Sequence, residues 1–181
     1  MFNIQILSLV TPDDEIINET PYESNEKSSG GYHESVFFCG SREIGPIVSI
    51  TDIPVALSEL LDCVHNYRKI LVGDCTGIDE LVQRYLLEIG YKNVEVYTSG
   101  DARVYLDTDW KLIECQADRK IKDNLPLDEY MRAFHAVKDI VMCQNCDKMV
   151  AVWNGSSRAT KENINRIISL NKSYYIIRIL T

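Results

Sequence analysis

The chain has 181 residues, 45% of them hydrophobic, enough for one domain with a substantial core. Its formal net charge is -8 and its pI about 4.9, which argues against a general DNA or RNA binder with a basic stripe, though not against a local basic pocket. No apolar run approaches the roughly 18 residues needed to cross a membrane.

The first segment, Met1 to Val10, lacks a basic leader and a small-residue cleavage site, so it is not read as a signal peptide. Alternation at Phe2, Ile4 and Ile6 predicts a strand over 2–10. Residues 11–35 are rich in Asp, Glu, Asn, Ser and Gly and read as a surface excursion or linker. The chain thus divides into 1–35, a strand plus a polar excursion, and 36–181, the regular domain.

The apolar run Val36-Phe37-Phe38-Cys39 predicts a strand over 36–40. A helix over 52–67 follows, with Val55, Leu57, Leu60, Leu61 and Val64 at helical spacing and Pro54 in its first turn. A strand over 69–73 leads to a helix over 77–90 that stops at Gly90. A strand over 93–98 comes next. Residues 99–128 are charged and irregular, longer than an ordinary connection, and are expected to form a lid or pocket wall. A helix over 128–145, a strand over 148–153, a helix over 158–171 and a strand over 173–180 complete the pattern. Apolar strands alternating with helices indicate an α/β fold, a Rossmann-like three-layer sandwich with a mainly parallel sheet.

Three of these strands run into small, hydroxyl-bearing turns. They are Gly40-Ser41-Arg42, Gly73-Asp74-Cys75-Thr76-Gly77 with Asp79 beyond it, and Asn154-Gly155-Ser156-Ser157 leading to Thr160. A strand that opens a helix through such a turn presents free N–H groups and the positive end of the helix dipole to an anion. Arg42 adds a planar fork of donors suited to phosphate. Asp74 is placed to accept from a ribose hydroxyl, while Thr76 and Asp79 have an equally good reading as cap and first-turn acid of the helix.

Other motifs are absent or incomplete. There is no Walker A loop, no Gly-x-Gly-x-x-Gly at the first strand and no Gly-x-Ser-x-Gly elbow. Cys143 and Cys146 have zinc-knuckle spacing without a second ligand pair, and His33, His65 and His135 are scattered, so no metal is expected. The six cysteines sit mostly within apolar patterns, which points to reduced thiols and a cytoplasmic setting. Tyr105, Trp110 and Trp153 are open to two readings, base stacking or core packing.

In their order and spacing, these residues resemble the SLOG superfamily, named after the DprA/SMF and Lonely Guy proteins, in its small YspA-like branch. The resemblance runs from about Val36 to Tyr175. It rests on Gly40-Ser41-Arg42, Gly73-Asp74 with Gly77 and Asp79, Arg103, Lys138-Asp139 with Met142, and Trp153-Asn154-Gly155-Ser156 with Thr160 and Asn163. It implies a Rossmann-like domain that binds a nucleotide or nucleotide-derived ligand, and it adds Arg103 and Lys138 to the ligand-binding set. Lonely Guy relatives are phosphoribohydrolases with a Pro-Gly-Gly-x-Gly-Thr-x-x-Glu motif. Aligning that Gly-Thr on Ala159-Thr160 puts Asn163 at the acidic position and Glu162 one place off. A neutral amide does not stabilise an oxocarbenium-like centre as a carboxylate does.

Two classes of function follow. One is a module that senses or sequesters a nucleotide or ADP-ribose-type molecule. The other is a hydrolase or transferase on a nucleoside phosphate, with Asp74, Asp79 or Glu162 as its carboxylate; no catalytic residue is assigned. The expected partner is a nucleotide-type small molecule, with no cofactor, no membrane and no general nucleic acid; a homo-oligomer is compatible with the sequence.

Overall fold

The structure, a computed structural model, describes residues 5–10, 34–66, 68–116 and 126–179. Most of the 11–35 excursion, part of the 99–128 segment, Phe2, Ile4 and His33 therefore lie outside the described residues.

Among the described residues seven strands form one sheet: β1 (Gln5–Val10), β2 (Ser35–Gly40), β3 (Lys69–Gly73), β4 (Val94–Thr98), β5 (Lys111–Glu114), β6 (Lys148–Trp153) and β7 (Ser173–Arg178). Their spatial order is β1-β7-β6-β2-β3-β4-β5. Strands β2 to β7 are parallel, and β1 closes one edge antiparallel to β7. The central strands carry unbroken apolar runs because both of their faces are covered. In β2, Val36, Phe37 and Phe38 are all buried, and successive side chains serve opposite layers.

Helices α1 (Pro54–His65) and α2 (Ile78–Glu88) cover one face. There Leu60, Ile78, Val82 and Leu86 share a core with Val36, Phe38, Ile70 and Val72. Helices α3 (Leu127–Asn145) and α4 (Arg158–Ser169) cover the other, where Met142, Ile164 and Ile167 join Phe37, Leu71, Met149 and Ala151. Each buried Val, Leu, Ile, Phe or Met side chain here contributes about 1.5–3 kcal/mol relative to exposure.

The element ends follow local chemistry. A 3-10 turn, Ile50–Asp52, precedes α1; Ser49 and Asp52 form its capping box, and Pro54 opens the helix. Helix α2 ends at Glu88, and Gly90 turns the chain with φ +68°. Strand β5 falls inside the stretch expected to be irregular. It has four residues, mostly exposed, at the sheet edge. Charged Lys111 and Glu114 flank its two apolar residues, of which Leu112 is exposed.

The connections decide where a ligand can sit. The chain steps from β2 through α1 to β3 on one side, and from β6 through α4 to β7 on the other. Because β2 and β6 are neighbours, their crossovers part and leave a crevice at their carboxyl ends.

Candidate functional site

A cavity of about 950 Å³ lies at that crevice, on the face covered by α3 and α4. The end of β2 contributes Gly40 and, just beyond, Arg42; the β3–α2 corner contributes Cys75 and Asp79. Asn154, Ser156, Ser157 and Thr160 line it from the β6–α4 corner, and Lys138 lines it from α3. Eight of the fifteen residues expected to bind a ligand thus share one cavity wall.

The β6–α4 loop is folded around one side chain. Asn154 Oδ1 accepts from Ser156 N at 3.1 Å, Ser157 N at 2.9 Å and Ser41 Oγ at 3.0 Å. Ser41 Oγ in turn accepts from Asn154 N at 3.0 Å. Ser41 is fully buried, so it ties the two loops of the crevice together and does not reach the cavity. Gly155 takes φ +82° beside the Arg178 guanidinium, a backbone position that suits glycine.

Ser157 caps α4, accepting from Thr160 N at 3.4 Å, and its hydroxyl lies 2.9 Å from that of Thr160. Thr160 is 2% exposed, so its hydroxyl braces the helix start more than it offers a donor to solvent. The amides of Arg158 and Ala159 precede it in the first turn, where no intrahelical acceptor exists. The end of α4 that faces the cavity therefore keeps donors and partial positive charge.

At the β3–α2 corner the charges are buried. Asp74 is 1% exposed. It receives Arg103 through Nη2 at 3.1 Å, Nε at 3.3 Å and the backbone N–H at 3.2 Å, Thr98 Oγ1 at 3.1 Å, and Lys138 Nζ at 3.1 Å. Burial alone would raise its pKa, but the Arg103 hydrogen bonds and the Lys138 charge outweigh it and hold the carboxyl well below the usual range. Its oxygens are thus engaged by the protein, and Asp74 does not line the cavity where a ribose hydroxyl was expected to meet it.

Asp79 behaves oppositely. Burial first, then Asp139 and Asp74, raise it to about 6, against the pull of Lys138 and the Cys75 N–H. Lys138 is held charged: the surrounding acids, Asp79 and Asp139 foremost, outweigh a desolvation that would lower it. Gly73 makes this packing possible, since a Cβ there would overlap Asp79 Oδ2 and the Lys138 ammonium.

The remaining expected residues lie beside the cavity. Gly77, with φ +86°, is the N-cap position of α2 and brings its backbone against Ser41 and Arg42. Thr76 is exposed and makes no cap bond, which corrects the expected Thr76 cap. Arg103 is occupied by Asp74 and by Cys75 Sγ at 3.0 Å. The aromatic residues are not stacking platforms in this cavity. Trp110 is buried and donates to Tyr91 O, Trp153 Nε1 donates to Ser157 O, and Tyr105 packs against the opposite core. Cys143 and Cys146 are buried thiols at the end of α3.

Sequence reasoning missed the far wall. Arg132, His135 and Asp139 on α3 and Arg158 on α4 all line the cavity. The signal was present, since Arg132, His135, Asp139 and Met142 recur at three- or four-residue steps and so share a helix face. His135 Nδ1 is buried without a hydrogen-bond partner among the described residues. Burial, then Arg103, Arg42 and Lys138, lower the pKa of this imidazole.

Comparison with protein-family models, curated proteins and solved structures gave no match.

Proposed function

We propose that the cavity binds a nucleotide or a nucleotide-derived ligand such as an ADP-ribose-type molecule, which the protein senses or sequesters, in keeping with the SLOG resemblance. The observation that carries the reading is the pairing of Arg42 with the first turn of α4 on one cavity at the point where the strand order reverses. An open α/β sheet holds its ligands there, and phosphate is the group that both partners suit. A volume of about 950 Å³ is within the range of small-molecule and cofactor sites. Within the reading, Arg42 and the α4 amides take the phosphate, while Asn154 and Ser157 hold the loop that presents those amides.

One observation favours the alternative, a hydrolase acting on the N-glycosidic bond of a nucleoside phosphate. Asp79 puts a carboxylate with a raised pKa on the cavity wall, as an acid–base group would require. Glu162 is less suited, being tied to Arg158 at 3.0 Å and Arg166 at 3.4 Å. The test is a nucleotide panel, first by calorimetry and then by incubation and chromatography. Binding with the nucleotide recovered intact supports the sensor. Release of free base supports the hydrolase. No binding across the panel overturns both.

A further inference from the structure

Three carboxylates and two cations share the β3–α2 corner of the cavity, and their sum is not zero. Asp74 is spoken for by Arg103 and Lys138. Asp79 and Asp139 lie 3.9 and 3.8 Å from Lys138 Nζ, beyond hydrogen-bond reach. Asp79 accepts from the Cys75 N–H at 3.3 Å, and no second hydrogen bond reaches its carboxylate among the described residues. Counted over the groups joined by ion pairs within 4 Å, the ionised cluster keeps one surplus negative charge, with Arg42 outside it and Arg166 paired to Glu162; the Asp79 side chain is 10% exposed. A buried, uncompensated charge is removed most cheaply by a proton.

We propose that Asp79 is a proton-linked element of this cavity: when an anionic ligand group enters, the Asp79 carboxylate takes up a proton, and anion affinity falls as pH rises. The inference rests on the anion-binding reading above. The proton comes from the buffer and forms an O–H on Asp79; no bond in the ligand breaks.

The neighbours leave Asp79 the main candidate. Facing it are Asp74 and Cys75 from the end of β3, Lys138 and Asp139 from α3, and Cys39 from β2. Arg42 and Arg103 reach the same corner at Cys75 Sγ, and Arg166 of α4 acts on Asp139. Asp74 stays ionised and Lys138 stays charged across neutral pH, while burial pushes both thiols up. Asp139 is also raised by burial, with Lys138 and Asn163 opposing. Asp79, at about 6, is poised where a nearby anion turns it from mostly ionised to mostly protonated. Asp139, raised, and His135, pushed down, line the same cavity, so both are competing sites of uptake.

The experiment is calorimetry with ADP-ribose, whose diphosphate diester does not titrate near neutrality, in buffers of different ionisation enthalpy. Sulfate serves as a second, non-titrating probe. Wild type is compared with Asp79→Asn, Asp79→Glu and His135→Gln. The expected result is uptake of up to about one proton between about pH 6 and 8, with affinity falling by up to about tenfold per pH unit. Uptake disappears in Asp79→Asn, which binds roughly tenfold more tightly than wild type near pH 8. It persists in Asp79→Glu and His135→Gln. Buffer-independent heats in wild type overturn the proposal whether or not the variants fold. Uptake that survives in Asp79→Asn, or vanishes in His135→Gln, also overturns it. If sulfate binds with this uptake and ADP-ribose does not bind, the nucleotide reading falls and the proton linkage stands. If neither binds, both fall.

Discussion

The Lys138 ammonium lies 3.1 Å from Asp74 Oδ1, and both side chains are 2% exposed. One residue stands on α3 and the other at the end of β3, so this pair pins the helix that walls the cavity to the sheet beneath it. Arg103 completes the arrangement from the loop before β5. The cavity floor is therefore fixed by buried charge, while the opposite corner is fixed by neutral hydrogen bonds around Asn154.

Removing the ammonium tests the first of these corners. Lys138→Met should destabilise the fold by about 3–5 kcal/mol, because it leaves buried carboxylates without their counter-charge. Urea unfolding monitored by circular dichroism reads this directly. A loss under about 1 kcal/mol, the level of an exposed pair, contradicts the pinning role.

Asp79 makes a pH-dependent contribution of defined sign. Its folded pKa of about 6 lies above the unfolded value of 3.8, so its stabilising protonated form is fully present below about pH 4. That contribution is lost as pH rises through about 6. Relative to Asp79→Asn, wild type should lose about 2–3 kcal/mol of stability between about pH 4 and 7. Parallel pH–stability curves for the two proteins contradict the raised pKa.

Gly73→Ala probes the same corner through volume. The added methyl meets the Asp79 carboxylate and the Lys138 ammonium, both buried and held, so a loss of about 1–3 kcal/mol is expected. Thermal unfolding checks it, and an unchanged midpoint shows that the corner has room to relax.

Ser41→Ala tests the neutral corner. It deletes two hydrogen bonds to Asn154 and leaves a half-buried backbone N–H unpaired, at a cost of about 1–3 kcal/mol. The β6–α4 loop should also loosen, seen as faster amide exchange at Ser156 and Ser157. Unchanged exchange there shows that Asn154 holds the loop alone.

Much of this architecture was legible in the sequence. The unbroken apolar runs at 36–39, 70–72 and 149–153 marked strands covered on both faces, and the small residues after them marked the crevice. Strand β5 was hidden by its length and its charged ends. The roles of Ser41, Asp74 and Thr160 were hidden for a different reason. A polar residue just past a strand, or in the first turn of the helix that follows, looks the same in sequence whether it faces a ligand or is satisfied internally, and here all three are bonded within the protein. On α3 only Lys138 was expected at the site, through the resemblance; Arg132 and His135 read as ordinary helix residues until the pairing of distant elements brings that face onto the cavity.

In the proposed reading a phosphate sits between Arg42 and the first turn of α4. Arg42 is exposed and, among the described residues, bonded only weakly, to Cys75 Sγ at 3.8 Å, so its loss should leave the fold intact. Thr160→Val, which removes a hydroxyl engaged by Ser157, should weaken binding less than Arg42→Ala. The direct measurement is calorimetric titration of wild type and Arg42→Ala with ADP-ribose, AMP and the other nucleotides of the panel. A charge-assisted hydrogen bond contributes about 1.5–3 kcal/mol, so affinity for whichever nucleotide binds should drop about tenfold or more in Arg42→Ala, with an unchanged unfolding midpoint. Equal affinity in the two proteins contradicts the phosphate site, and absence of binding in wild type contradicts the nucleotide reading itself.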